Sequence, residues 1–446
     1  MSSSASFRWL FVALVAFVYC VASANAEKAG FIQVRSPHPH PHAQPGLISS
    51  LVETVTGKRP APARPLGELQ KSTVPSSAPP PVASSIKKTQ TKASSAVKNP
   101  SKRPVGAFAT TYPLSAGDLF VWQSKNPHNE ADTESATIII HGVDRNAGDY
   151  FTTLNTTWKA ARNQNLARAP AKSMLIAPLF FDQVYDKGLY DPTTLAWGEN
   201  NAWCLGEGST NPSGSGLSSL SALDELVARF SNRKNFPNMK YITFVGHGCG
   251  GMTLQRYAAL TSSSSNGVPI RYVVGNPSSM LYWSRDRPSD SFNANSCPYY
   301  NSFFFGLDDF YIPYPKNKNS AQLFKSYVQR DVRYLVSLDD NGGGDQTCEA
   351  KAAGGVARKS RTLAYWKYIN ILSGKKASDY SQFPGSFTRL QKSQQGGNSD
   401  NEFVDDVKAK DFTGVNFAHQ LVQLSGVGHN APAVLTSSQG RKAIFA

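Results

Sequence analysis

Short apolar runs without polar alternation recur along this chain, and each stops at residues that bend the backbone or carry chemistry. Residues 137–140 end at His141 and Gly142, 173–177 at Pro178, and 241–245 at Gly246. Residues 271–274 end at Gly275, Asn276 and Pro277, 332–336 lead to Asp339 and Asp340, and 421–424 lead to Gly428 and His429. A strand with one wet face alternates, whereas a strand covered on both faces reads as a continuous run. Between the runs lie helical stretches. Residues 217–230 carry a stripe of Leu220, Leu223, Val227 and Phe230, and 254–260 and 364–372 read similarly. Strand–helix alternation predicts an α/β fold, with a mostly parallel sheet flanked by helices. Chemistry in such sheets collects at the carboxyl ends of the strands.

The first 105 residues have a different texture. Arg8 precedes an apolar run from Trp9 to Val21, and Ala24-Asn25-Ala26 fits a cleavage site, so residues 1–26 read as a secretory signal peptide. That run is too short for a membrane span of about 20 residues, and no later segment is long and apolar enough to replace it. The expectation is a secreted, extracellular protein with no integral membrane segment. Residues 27–105 are rich in Pro, Ser, Ala and Lys and cannot bury enough apolar area to offset ordering entropy. They read as a disordered linker or pro-segment ahead of a folded domain at 106–446. The net charge of +15 is concentrated there, with 12 Lys/Arg against 3 Asp/Glu in that stretch. No basic stripe interleaved with aromatics marks the folded part, which argues against a nucleic-acid partner. The basic linker reads as solvated coil, or as a tail drawn to an anionic surface. The His-Pro tract at 37–42 reads as extended Pro-rich coil, and no metal site or cofactor is implied.

Beyond the signal the chain has Cys204, Cys249, Cys297 and Cys348. An even number in an oxidising compartment permits two disulfides. Cys297 and Cys348 sit in polar, loop-like contexts and form the expected pair, whereas Cys249, in a Gly-rich turn after a buried strand, is a poor place for one. Asn155 opens the one clean glycosylation sequon.

Three strand ends carry His, Gly and Asp in an order that suits acyl transfer: His141 to Asn146, Gly246 to Gly251, and Ser425 to His429, with Asp339 and Asp340 between the last two. An HG-x-x-RN turn, a GH-x-x-GG turn followed by Gln255-Arg256-Tyr257-Ala258, Asn276-Pro277-Ser278-Ser279 with Tyr282, Arg333-Tyr334-Leu335 before the acid, and a closing Gly428-His429 together resemble secreted α/β-hydrolase-fold proteins common in fungi, related to esterases and lipases. The resemblance spans roughly residues 115–446 and implies an α/β-hydrolase fold. It also implies a triad of nucleophile, acid and His at strand ends. His429 matches the base. Asp340 matches the acid, with Asp339 as its neighbour and an ordinary acidic loop as the plain alternative. The implied oxyanion donors are the N–H groups of Val143 and Cys249.

One position departs from the pattern. The family elbow is Gly-x-Ser-x-Gly, and here Gly248 stands at the nucleophile position. Without a hydroxyl no acyl-enzyme forms there. Three readings remain: a non-catalytic cleft, a thiolate at Cys249 taking over, or water steered by His429. Cys249 would put His247 where a small residue is wanted, and it reads also as a small buried residue. His247 and His419 read as structural. The aromatic-rich stretch at 276–332 reads as a cap-like insertion. Its rings, including Tyr282 and Trp283, either line an apolar or sugar-stacking pocket above the elbow or fill a small core of their own. The expected function is binding of an ester or apolar small molecule, or of a partner, through an ancestral esterase cleft. Ester hydrolysis using Cys249 or a His429-activated water is the alternative.

Overall fold

The apolar runs pair side by side in the computed structural model, which describes residues 103–395 and 403–446. The signal peptide and almost all of the linker lie outside the described residues. The strands are β1 (Ala107–Leu114), β2 (Gly117–Ser124), β3 (Ser135–Ile140), β4 (Ser173–Pro178), β5 (Phe181–Asp182), β6 (Ala196–Trp197), β7 (Ser209–Asn211), β8 (Tyr241–His247), β9 (Ile270–Gly275), β10 (Asp331–Ser337) and β11 (Gln420–Leu424). Eight of them form one sheet in the order β1-β2-β4-β3-β8-β9-β10-β11. From β4 to β11 every pairing is parallel, and β1 and β2 add an antiparallel hairpin at one edge. The helices of eight residues or more are α1 (Ala147–Asn163), α2 (Ser219–Phe230), α3 (Cys249–Leu260), α4 (Ser320–Val328), α5 (Arg358–Leu372) and α6 (Ser438–Phe445). This is an α/β-hydrolase fold: a mostly parallel eight-stranded sheet flanked by helices.

The unbroken runs are explained by two cores, one on each face. Successive residues of a strand point to opposite sides. Ile138 and Ile140 join one core and Ile139 the other, and Phe244 and Val245, Val274 and Val273, and Tyr334 and Leu335 divide the same way. Helices α2 to α5 cover the first face, and α1 and α6 the second. The order of strands reverses between β3 and β8, so the connections leaving their paired carboxyl ends part to opposite faces and open a crevice. The turns after β3, β8, β10 and β11 all open at that end.

Two sequence expectations need correction. Segment 276–332 does not form an aromatic wall above the elbow. Tyr282 and Trp283 are fully buried, at 1% and 0% exposure. The Tyr282 hydroxyl donates to the Ala353 carbonyl and the Trp283 indole N–H to the Tyr365 hydroxyl. Their rings pack on Tyr365, Tyr368, Phe324 and Tyr327. Arg256 of α3, also buried, ties the segment down by donating to the carbonyls of Ser279 and Phe304. The rings fill a core because their polar tips find protein partners there rather than water.

The second correction concerns Cys249, which is bonded to Cys204, while Cys297 pairs with Cys348 as expected. Residues 202–205 form a 3-10 turn packed against α3, which brings Cys204 to the elbow. Sequence alone does not show that approach. The sequon Asn155 lies within α1, its amide facing the Val105 carbonyl at 3.5 Å, and the sequon's Thr157 is buried, donating to the Thr153 carbonyl.

Candidate active site

Strand β8 runs directly into α3 through one residue, Gly248, with φ +60° and ψ −119°. A positive φ favours glycine, and a side chain there is strained by about 1–3 kcal/mol. The neighbouring glycines are required for a different reason. A Cβ on Gly246 would lie 2.4 Å from the Gly250 carbonyl oxygen, one on Gly250 2.4 Å from that of Ile140, and one on Gly251 2.6 Å from that of Gly275. These glycines let α3 start hard against β3, β8 and β9. At Gly248 no backbone intrudes: a Cβ would meet only the His429 ring, with Nε2 at 3.3 Å. The elbow is therefore a tight strand-to-helix turn, and a side chain at 248 would point at His429.

His429 and Asp340 come together from the ends of β11 and β10. His429 Nδ1 lies 2.8 Å from Asp340 Oδ2, and Arg358 Nη1 donates to Asp340 Oδ1 at 3.0 Å. Asp340 is buried at 2% exposure, whereas Asp339 faces solvent. Burial alone would raise the Asp340 carboxyl; the hydrogen bond and charge of His429, together with Arg358, outweigh it and hold the group below its ordinary range. An ionised Asp340 orients Nδ1–H, which leaves Nε2 as the lone pair aimed at the elbow.

His247 packs against His429 with ring centroids 4.4 Å apart and the planes tilted by 40°. The Ser337 N–H donates to Asn276 Oδ1, so the Asn276 amide nitrogen faces His247 Nε2 at 3.2 Å and donates to it. Burial first, then the charge of His429, keeps His247 well below the usual histidine range. It is a neutral ring packed behind His429.

The loop after β3 is held by residues that sequence reasoning left without a role. His141 Nε2 accepts from the Phe180 N–H, so Nδ1 carries the proton and donates to the Gly142 carbonyl at 2.8 Å. Burial pushes that imidazole down to about 3, so it stays neutral. The Arg145 N–H holds the same carbonyl from a second direction. In a trans peptide the N–H points opposite the C=O, so the Val143 N–H turns away from these partners. The Arg145 guanidinium in turn grips the Val143 carbonyl, Asp186 and Asn201. Cys249, the first residue of α3, has an N–H with no acceptor inside the helix.

These groups line a cleft of about 630 Å³, formed by residues 142–144, 146, 149, 150 and 153 on one side, 247–249 and 252 at the floor, and 342–345, Arg358 and 429–432 opposite. The cleft brings together Gly248, Cys249, Val143 and His429, with Asp340 directly behind the imidazole. Tyr282 and Trp283 are not on its surface; from segment 276–332 only Ser278 reaches it. Cys249 cannot serve as a thiolate while its sulfur is bonded to Cys204. Arg358 and Tyr150 carry no sequence signal of their own and become visible only through the fold. Among the described residues, the one grouping of potential metal ligands is Cys297, Cys348 and Glu349, whose two sulfurs are joined to each other. No helix among them is long and apolar enough to cross a membrane.

No protein-family model matches the sequence, and no curated protein matches it. Among solved structures the chain is similar to poly(aspartic acid) hydrolase-1 from Sphingomonas sp. KT-1, at 16% identity, covering 77% of this chain and 100% of that one, with a TM-score of 0.46. It is similar to LpqC, a poly(3-hydroxybutyrate) depolymerase from Bordetella parapertussis, at 15% identity over 74% and 86% of the two chains, with a TM-score of 0.45. Siderophore hydrolase EstA from Aspergillus nidulans aligns at 10% identity over 74% and 92%, with a TM-score of 0.33. None of these likenesses carries a residue role to this chain.

Proposed function

We propose that this is a secreted protein of α/β-hydrolase ancestry that binds a carbonyl-bearing ligand through the old cleft without forming an acyl-enzyme. One observation carries the reading: the position that aims at His429 Nε2 is Gly248, and the sulfur of the neighbouring Cys249 is bonded to Cys204. The two disulfides fit an oxidising compartment and so support export. The test compares the purified protein with a Gly248→Ser variant on short-chain esters and with a fluorophosphonate probe. The native chain is expected to show neither a covalent adduct nor turnover near the variant's rate, and an adduct on the native chain overturns the reading.

A second reading rests on the intact His429–Asp340 pair, 2.8 Å apart. A water on Nε2 would be activated as a direct nucleophile, with His429 taking its proton. Slow ester turnover that leaves no adduct and disappears in His429→Gln would favour this over pure binding.

A further inference from the structure

The cleft has a donor-rich floor and an acidic mouth, although the chain as a whole carries a charge of +15. At the floor are the N–H groups of Val143 and Cys249, and a third donor stands beside them. Tyr150 of α1 is 8% exposed, with its ring in the core behind the sheet. Its hydroxyl reaches the cleft wall, 3.0 Å from where a Gly142 Cβ would lie. A buried tyrosine hydroxyl ordinarily finds a partner; this one takes a bond from the Gly142 backbone, which leaves its own proton to be donated. At the mouth are the exposed Asp144 and Asp149, with Asp149 held by the Asn146 amide. Asp345 adds a third carboxyl to the lining. The one Lys or Arg on the lining is Arg358, and it is paired with Asp340. A cleft with low-dielectric walls focuses such a field on whatever enters.

Resting on the binding reading above, we propose that the ligand presents a carbonyl oxygen to Tyr150, Val143 and Cys249 at the floor and a primary amine or guanidinium to Asp144 and Asp149 at the mouth. The ligand class is a cationic acyl compound, such as a lysine- or arginine-type amide or ester. The floor fixes the acyl group and the mouth selects the charge.

The experiment uses the native protein and two uncleavable probes of matched shape, Nα-acetyl-lysine methylamide and Nα-acetyl-norleucine methylamide, with affinities read by calorimetry at low and high salt. The lysine probe is expected to bind about three- to tenfold tighter at low salt, the advantage shrinking as salt screens it. Asp144→Asn with Asp149→Asn should remove the advantage and leave the norleucine affinity unchanged. Tyr150→Phe should weaken both probes by the same factor, roughly fivefold, because a carbonyl donor serves both. Equal binding of the two probes by the native protein, or no binding of either at millimolar concentration, overturns the proposal. Fluorophosphonate labelling of the native chain overturns the non-catalytic reading instead, whichever probe binds better.

Discussion

The Cβ that Gly248 lacks would stand 3.3 Å from His429 Nε2, while the other side of that imidazole is held by Asp340 at 2.8 Å. The relay is therefore assembled up to its last atom. Gly248→Ser should place a hydroxyl on the base after the ring shifts by a few tenths of an ångström. In triad enzymes, removing the nucleophile alone costs about 10⁶ in kcat. Restoring it here is expected to raise ester turnover by at least about 10²-fold and to create fluorophosphonate labelling at residue 248. The same change forces a side chain into positive φ, so the variant should unfold about 1–3 kcal/mol more easily.

The four elbow glycines separate by cause, and substitution should show it. At Gly250 a Cβ would sit 2.4 Å from the Ile140 carbonyl oxygen and 2.6 Å from that of His141, contacts that only movement of α3 away from β3 relieves. Gly248→Ala meets no backbone atom. In urea titrations Gly250→Ala should lose more than about 4 kcal/mol, or fail to fold, while Gly248→Ala loses only its strain cost of about 1–3 kcal/mol. Equal losses would mean that the helix start is not packed as described.

Cys204 and Cys249 close a loop of 45 residues, so their bond restricts the unfolded chain by about 4 kcal/mol on the loop-entropy estimate. The double variant Cys204→Ser, Cys249→Ser should lose stability on that scale. Without reductant, maleimide should leave Cys249 unlabelled. Labelling of Cys249 in the non-reduced native protein would restore it as a nucleophile and contradict the bond.

How much of this was legible in the sequence depends on range. The buried parallel strands were readable because a strand covered on both faces leaves one-dimensional evidence, and residues 137–140, 241–245 and 271–274 fall inside β3, β8 and β9. The hairpin of β1 and β2 was not: β1 is half-exposed and carries no continuous run, and the buried run Leu119 to Trp122 of β2 ends at Gln123 and Ser124, without a Gly, Pro or His to mark it. Asp340 and His429 were found because each follows a strand end. Arg358 and Tyr150 act from helices whose sequence positions carry no such mark. Tyr282 and Trp283 looked like pocket walls because an aromatic cluster reads the same whether its rings face a ligand or one another; only the partners at Ala353 and Tyr365 decide it. Cys249 looked unbridged because its partner arrives on a separate turn.

Acid should weaken this fold well above the carboxylate range. Burial holds His141 and His419 neutral, each down to about 3 in the folded chain, against about 6.5 when unfolded. Between those values the unfolded chain binds protons that the folded chain refuses, so stability is fully present above about pH 6.5 and falls as pH drops through the window. By pH 5 each ring should cost about 2 kcal/mol. Asp340 acts in a separate, lower window: its depressed carboxyl contributes stability above about pH 4, which is lost on further acidification. His419 isolates the first effect because it lies outside the cleft. Its Nε2 faces the Tyr327 carbonyl at 2.8 Å and must donate, which a glutamine amide can imitate without titrating. His419→Gln should match the native melting temperature more closely at pH 5 than at pH 8, with a shallower slope between pH 6.5 and pH 5. A slope unchanged by the substitution would show that this imidazole takes up its proton in the folded state.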